Sequence, residues 1–326
     1  MHSNESQRCH FLTFDADKID QVRSVYIFTA SLDAILILPT TLLNILLIIS
    51  LYRSSEIRKP STKLLFSLAM SDVLVGLITE PTFLVKKIAE FSHNFAVYCK
   101  SGGITYVIGG ALGCVSFFTH TVIAIDRYLV VHKGTKYPFL VTNTRVLLIT
   151  LAIWVATFAL YTAQLYSPRS LYFKVVAAVM VTSVSMAAAC YIKCFFTLRN
   201  KKKLIETLSE ETDKQRARNI YSYKKSMYTM AYVFVAFNLC YLPFFCTSVS
   251  AWIVGESGAI WGAESISSVI IYSNSFINPV ILFWRMKEIR KAVAVTIASA
   301  QSNVKPSHNT SPQNTKETMK NTETKV

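Results

Sequence analysis

Asp72 is the residue whose position most demands chemistry. It stands in an apolar segment, residues 64–85, whose only other charge is Glu80. An ionised carboxylate at the centre of such a helix costs at least about 2.5–3.5 kcal/mol, so it requires partners. Asn274 and Asn278 lie four residues apart and share one helix face, and Ser275 and Ser116 add hydroxyls at a similar expected depth. These five residues can build a polar network across the chain. A second constellation, Asp126-Arg127-Tyr128, ends an uncharged run. There Arg127 can snorkel to a membrane surface while Asp126 offsets its charge, or it can serve simply as an interfacial anchor. Enzyme chemistry has no comparable signal: His10, His93, His120, His132 and His308 are scattered, and none of the seven cysteines forms a Cys-x-x-Cys pair.

The elements that must position these groups are spans of a membrane. Only 16% of the 326 residues are charged, against roughly 25% in an ordinary soluble domain. Residues 34–52, 101–125, 146–168, 175–192, 226–255 and 265–284 carry no charge, and each fits a span of about 20 apolar residues. With residues 64–85 they make seven. A net charge of +15 could signal nucleic acid, but location decides otherwise. With the N-terminus outside, 26 of the 34 basic residues fall on the inner side, as the positive-inside rule requires. Such residues also favour anionic lipid headgroups; no nucleic-acid partner is expected. Residues 1–24 are polar and are not a signal peptide, so the first span is expected to act as its own insertion signal. Asn4-Glu5-Ser6 is a glycosylation sequon on the outer side, whereas Asn309-Thr310-Ser311 lies inside and should stay bare. Asp33 and Asp72, with Arg127 at the edge, are conspicuous as charges within the apolar layer.

The order of motifs along these spans resembles the rhodopsin-like (class A) G-protein-coupled receptors. They are Asn44, Leu68-Ala69-Met70-Ser71-Asp72, Asp126-Arg127-Tyr128, Trp154, Cys240-Tyr241-Leu242-Pro243 and Asn278-Pro279. The stretch Trp284-Arg285-Met286-Lys287-Glu288-Ile289-Arg290-Lys291 follows. The resemblance implies an all-α seven-transmembrane bundle with a short amphipathic eighth helix on the inner membrane surface. The corresponding divisions are an extracellular terminus over 1–24, a receptor domain over 25–284, a surface helix over 285–298 and a disordered tail over 299–326. It also implies a plasma-membrane protein that binds an extracellular ligand, activates a heterotrimeric G protein and engages arrestin through its phosphorylatable tail. By the same resemblance the activation switch comprises Asp126, Arg127, Tyr128, Tyr191, Phe237, Tyr241, Pro243, Asn278 and Pro279. Asp72, Ser116, Asn274, Ser275 and Asn278 occupy the family's allosteric sodium pocket, and no other cofactor is required. A network satisfied by water is the alternative.

Several positions depart from the family pattern. Tyr223 replaces the acid that commonly ties the switch arginine to the sixth span, so that lock is expected to be missing. Tyr241 stands for the usual tryptophan, and Leu282 for a tyrosine that helps hold the active state. Gly102 replaces the cysteine that normally bridges to the second outer loop. Cys9 and Cys99 are the cysteines expected clearly outside, where an oxidising compartment allows them to pair or to remain separate. With Ser183 in place of a fifth-span proline, the pattern is closest to the melanocortin, lysophospholipid, cannabinoid and adenosine branch. The ligand signatures differ, however: Gly109 excludes a monoamine salt bridge there, Ser248 replaces the adenosine receptors' asparagine, Thr105 and Tyr106 replace the lysophospholipid pair, and Tyr272 replaces a retinal lysine. Candidate pocket groups are Glu80, Tyr106, Phe244, Phe245, Glu264 and Tyr272, whose two acids hint at a cationic or peptide ligand. The rival class, a secondary transporter or other seven-helix carrier, would show paired broken helices in two halves, and no such breaks are found.

Overall fold

The computed structural model describes residues 7–10, 12–53, 59–164, 169–206 and 212–304. Asn4, the Asn309 sequon and the end of the tail lie outside the described residues. Among the described residues, seven helical segments are long and apolar enough to cross a membrane: Arg23–Arg53, Pro60–Phe91, Phe95–Leu140, Asn143–Ala163, Met180–Lys201, Tyr223–Val254 and Gly258–Arg285. Because they are apolar on nearly every side, their outer faces stay apolar where lipid replaces water. Leu147, Leu148, Leu151 and Val155 of the fourth span are exposed accordingly.

The elements run in chain order. A hairpin of β1 (Gln7–Cys9) and β2 (Leu12–Phe14) precedes α1 (Ala16–Gln21) and the first span α2 (Arg23–Arg53). The second span is α3 (Pro60–Leu74), a wide π turn (Val75–Thr79) and α4 (Glu80–Phe91). The third is α5 (Phe95–Ile104), a second π turn (Thr105–Gly109) and α6 (Gly110–Lys133). After the short α7 (Tyr137–Leu140) come α8 (Asn143–Gln164), α9 (Arg169–Glu206), α10 (Thr212–Val254), α11 (Gly258–Arg285) and the amphipathic α12 (Lys287–Val304). Met286 leaves helical geometry and turns the chain between α11 and α12. The surface helix therefore begins two residues later than the expected 285 and continues past 298, into the stretch read as tail.

Glycines set the closest helix approaches. A Cβ at Gly76 would come within 2.5 Å of the Thr41 hydroxyl, and one at Gly110 would collide with the Tyr161 ring. Small residues of this kind let helices pack without the hydrophobic driving force that water supplies. Trp154 Nε1 donates to Ser67 Oγ at 3.0 Å, fixing α8 on α3.

The outer end is closed by the N-terminus. Cys9 and Cys99 are joined in a disulfide with Cα atoms 5.7 Å apart, inside the usual range. Tyr98 Oη donates to the Thr13 carbonyl at 2.9 Å, and Phe14 meets the Tyr98 and Phe95 rings edge-on. Phe14, Ile19, Val22, Tyr26, Ala89 and Tyr98 form one buried cluster. Cys9→Ser should release this hairpin and lower stability by about 2–4 kcal/mol. A thermal melt of the purified protein checks this, and an unchanged midpoint would refute the stapling role.

Candidate functional site

At mid-membrane, helical spacing brings the polar residues of α3 and α11 together. Asp72 is buried; its Oδ1 accepts from Ser275 Oγ at 2.7 Å and its Oδ2 from Asn278 Nδ2 at 3.0 Å. Asn44 Nδ2 donates to the Ser275 carbonyl at 2.8 Å and to the Thr40 carbonyl at 2.9 Å, tying α2 to α11. Ser116 differs from expectation: its hydroxyl bonds to Ser71 Oγ at 3.1 Å, one residue before Asp72, rather than to the carboxylate. Asn274 is buried, and the amide oxygens of Asn274, Asn278 and Asn44 have no hydrogen-bond partner. A carboxylate with the Ser275 hydroxyl and the unpartnered amide oxygen of Asn278 beside it is an all-oxygen donor set, which suits a hard cation.

At the inner end, Arg127 is held on two sides. Its Nη2 pairs with Asp126 Oδ2 at 2.7 Å, and Nη1 donates to Ser226 Oγ on α10 at 3.0 Å. Tyr137 of α7 donates to Asp126 Oδ1 at 2.6 Å. Tyr223 is exposed and makes no such lock, as expected, but the neighbouring serine supplies a weaker one. Neither Ser226 nor Tyr137 was legible in the sequence, since an isolated hydroxyl carries no spacing signal. Tyr128 stacks on His132 at 4.1 Å, whose Nε2 lies 3.0 Å from Thr197 Oγ1 on α9. Tyr191 is buried and meets the Phe234 ring at a tilt, 5.4 Å between centroids, with its hydroxyl unpartnered; Leu282 is where the family's second tyrosine would stand.

Between these two levels runs an aromatic column. Phe237, fully buried, stacks on Tyr241 at 4.3 Å and meets His120 at 4.6 Å and Phe117 at 5.4 Å. The Tyr241 hydroxyl is received by Gly113, where a Cβ would sit 2.8 Å away. His120 was missed from sequence: it is buried on α6 and its Nε2 has no partner. Pro243 lies inside α10 and Pro279 inside α11. Each lacks the N–H that would close the helical ladder, which makes those turns the easy places to bend.

Tyr241 is also the floor of a cavity of about 470 Å³ open toward the outer face, a size typical of small-molecule sites. Tyr106, Phe244, Phe245, Glu264 and Tyr272 line it, together with Leu12 and Thr13 of the hairpin. Its rim carries both signs of charge, including Lys86, Lys87, Glu90 and Lys174. Lys87 Nζ pairs with Glu90 at 2.8 Å and lies 3.4 Å over the Tyr26 ring. Glu80, expected among the pocket groups, does not line the cavity and is fully buried. The cause is the π turn just before it. At about 100° per residue, Glu80 would point about 80° away from Asp72, but the extra residue of a wide turn takes back about 100° and aims it into the bundle.

Comparison with known proteins accords with this arrangement. A family model described as 7 transmembrane receptor (rhodopsin family) matches residues 43–171 and 161–282. The chain is 27% identical to the melatonin receptor type 1B of Mus musculus, over 73% of this chain and 69% of that protein. It is 24% identical to the histamine H2 receptor of Homo sapiens over 76% and 73%, and 25% identical to the human adenosine receptor A2a over 78% and 68%. These relatives are named for three different ligand classes, and none bears out the transporter alternative. A seven-span bundle, an Asp-Arg-Tyr switch at the inner edge and a family match over most of its length place this chain in the rhodopsin-like family of G-protein-coupled receptors.

Proposed function

We propose that this receptor resides in the plasma membrane with its N-terminus outside, takes a small amphipathic ligand into the outer cavity, and signals by swinging the inner end of α10 away from Arg127. The observation that carries this reading is continuity. Tyr241 touches the ligand cavity, stacks on Phe237, and shares α10 with Ser226, which holds Arg127. A ligand that displaces Tyr241 biases the bend at Pro243, and the same helix then releases the guanidinium to the G protein. Phe117 and Tyr241 offer the ligand an apolar floor; the mixed-sign rim suits a polar or zwitterionic end. With Glu80 removed from the cavity, the case for a purely cationic ligand loses one of its two acids.

A neutral serine bond is weaker than a buried ion pair: a hydrogen bond to a charged group contributes about 1.5–3 kcal/mol. The resting state is therefore expected to leak. Second-messenger levels in cells expressing the receptor should exceed those of mock-transfected cells at verified surface expression, and equality would contradict the proposal. A screen of peptides, lipids, nucleosides and small amines in the same cells identifies the ligand.

Asp72, Asn274, Ser275 and Asn278 would hold a sodium ion that stabilises the resting bundle, with Ser116 reached through Ser71. The prediction is that sodium lowers agonist affinity in the native receptor and not in Asp72→Asn; retained sodium sensitivity in that variant would refute the assignment. At the inner surface, the basic face of α12 suits anionic lipid headgroups. The Ser/Thr-rich tail supplies phosphorylation sites for arrestin.

A further inference from the structure

Asp33 of α2 and Glu80 of α4 are the acids that the activation account leaves unused. Both are fully buried, and all four of their carboxylate oxygens lack a hydrogen-bond partner. They lie close enough to act on one another electrostatically, and Tyr272 lies beside both. Lys87 is the nearby cation, but its ammonium is committed to Glu90 at 2.8 Å and to the Tyr26 ring. One hydroxyl completes the group: Thr40 lies against Glu80, and its Oγ1 is fully buried without a hydrogen-bond partner.

Two like charges in a low-dielectric interior are untenable without compensation. Lys86 and Lys87 both pair with Glu90, and Glu264 acts on both lysines, so these four charges cancel and Asp33 with Glu80 presents a local charge of −2 and a set of hard oxygen donors. A divalent ion balances that charge, whereas sodium leaves half of it. Flexible coordination by carboxylates, and readier dehydration than magnesium, favour calcium. Access is provided by Tyr272, which borders the ligand cavity on one side and the acids on the other.

We propose that Asp33 and Glu80, with the Thr40 hydroxyl, bind a calcium ion between the first two spans. This site is distinct from the polar network at Asp72, which lies about 12 Å farther in along the second span. Calcium there would clamp α2 to α4 and brace Tyr272 at the cavity wall. The inference does not depend on sodium at Asp72, and its test separates the two.

The test is the thermal midpoint of the purified receptor in EGTA against about 2 mM calcium, roughly five times a Kd in the range of extracellular calcium modules. Choline chloride keeps ionic strength constant. The expected result is a rise of about 2–4 °C in the native receptor, retained in Asp72→Asn and abolished in Glu80→Gln and in Asp33→Asn. If either acid variant fails to fold, Thr40→Ala keeps both acids and should raise the calcium concentration for half the shift about fivefold or more, the effect of losing about 1 kcal/mol of coordination. No calcium shift in the native receptor overturns the proposal, as does a shift that survives both acid substitutions. A midpoint that follows pH or sodium but not calcium overturns it too, showing a shared proton or a monovalent ion instead.

Discussion

Arg127→Lys should leave the receptor folded and at the cell surface while reducing G-protein signalling by about 10–100-fold. The guanidinium reaches Asp126 with one terminal nitrogen and Ser226 with the other. Lysine keeps the charge, and so spares Asp126 from standing as an unpaired buried acid, but it cannot repeat the fork. Losing a charge-assisted hydrogen bond that forms only with the partner removes about 1.5–3 kcal/mol, which corresponds to that range of affinity. Arg127→Ala is the harsher variant, because breaking a buried pair by removing one partner costs about 3–5 kcal/mol. Signalling and surface expression measured together distinguish the two effects. Arg127→Lys with native signalling would mean that charge alone suffices and that the fork has no role.

The second large effect belongs to Phe237. It is completely buried among Tyr241, His120 and Phe117, and truncation to alanine should destabilise the bundle by about 3–5 kcal/mol. Phe237→Leu retains most of the volume and should cost less than about 1.5 kcal/mol. If the ring relays movement from Tyr241 to the inner end, the leucine variant will fold almost normally and still respond poorly to ligand. If Phe237 only fills space, its signalling will follow its stability. A thermal melt of each variant beside its dose-response curve decides between these.

Different physical signals explain why some features were legible in the sequence and others were not. The spans were readable because lipid enforces long uncharged runs, and Asp72 with Ser275 and Asn278 was readable because three- and four-residue spacing on helices fixes which side chains share a face. Glu80 was misplaced because reading its direction assumes an unbroken α-helix from Asp72, and the Val75–Thr79 π turn adds a residue that no local sequence pattern announces. The N-terminal hairpin was invisible for another reason: two three-residue strands have no intrinsic stability and exist through the Cys9–Cys99 link and packing on Tyr98. The sequence left that pairing open. Ser226 and His120 acquire roles only when α10 and α6 are brought together, since neither residue type marks a site by itself.

The central claim is that the inner end of α10 rests against Arg127 and leaves it on activation. Spin labels at Lys133 and Tyr223, both exposed, read that separation directly once Cys246→Ser has removed the exposed native thiol. The account predicts that the distance between the labels lengthens when a G protein binds, and that Ser226→Ala shifts part of the population to the longer distance without any partner. A separation unchanged by G protein and by Ser226→Ala would contradict it.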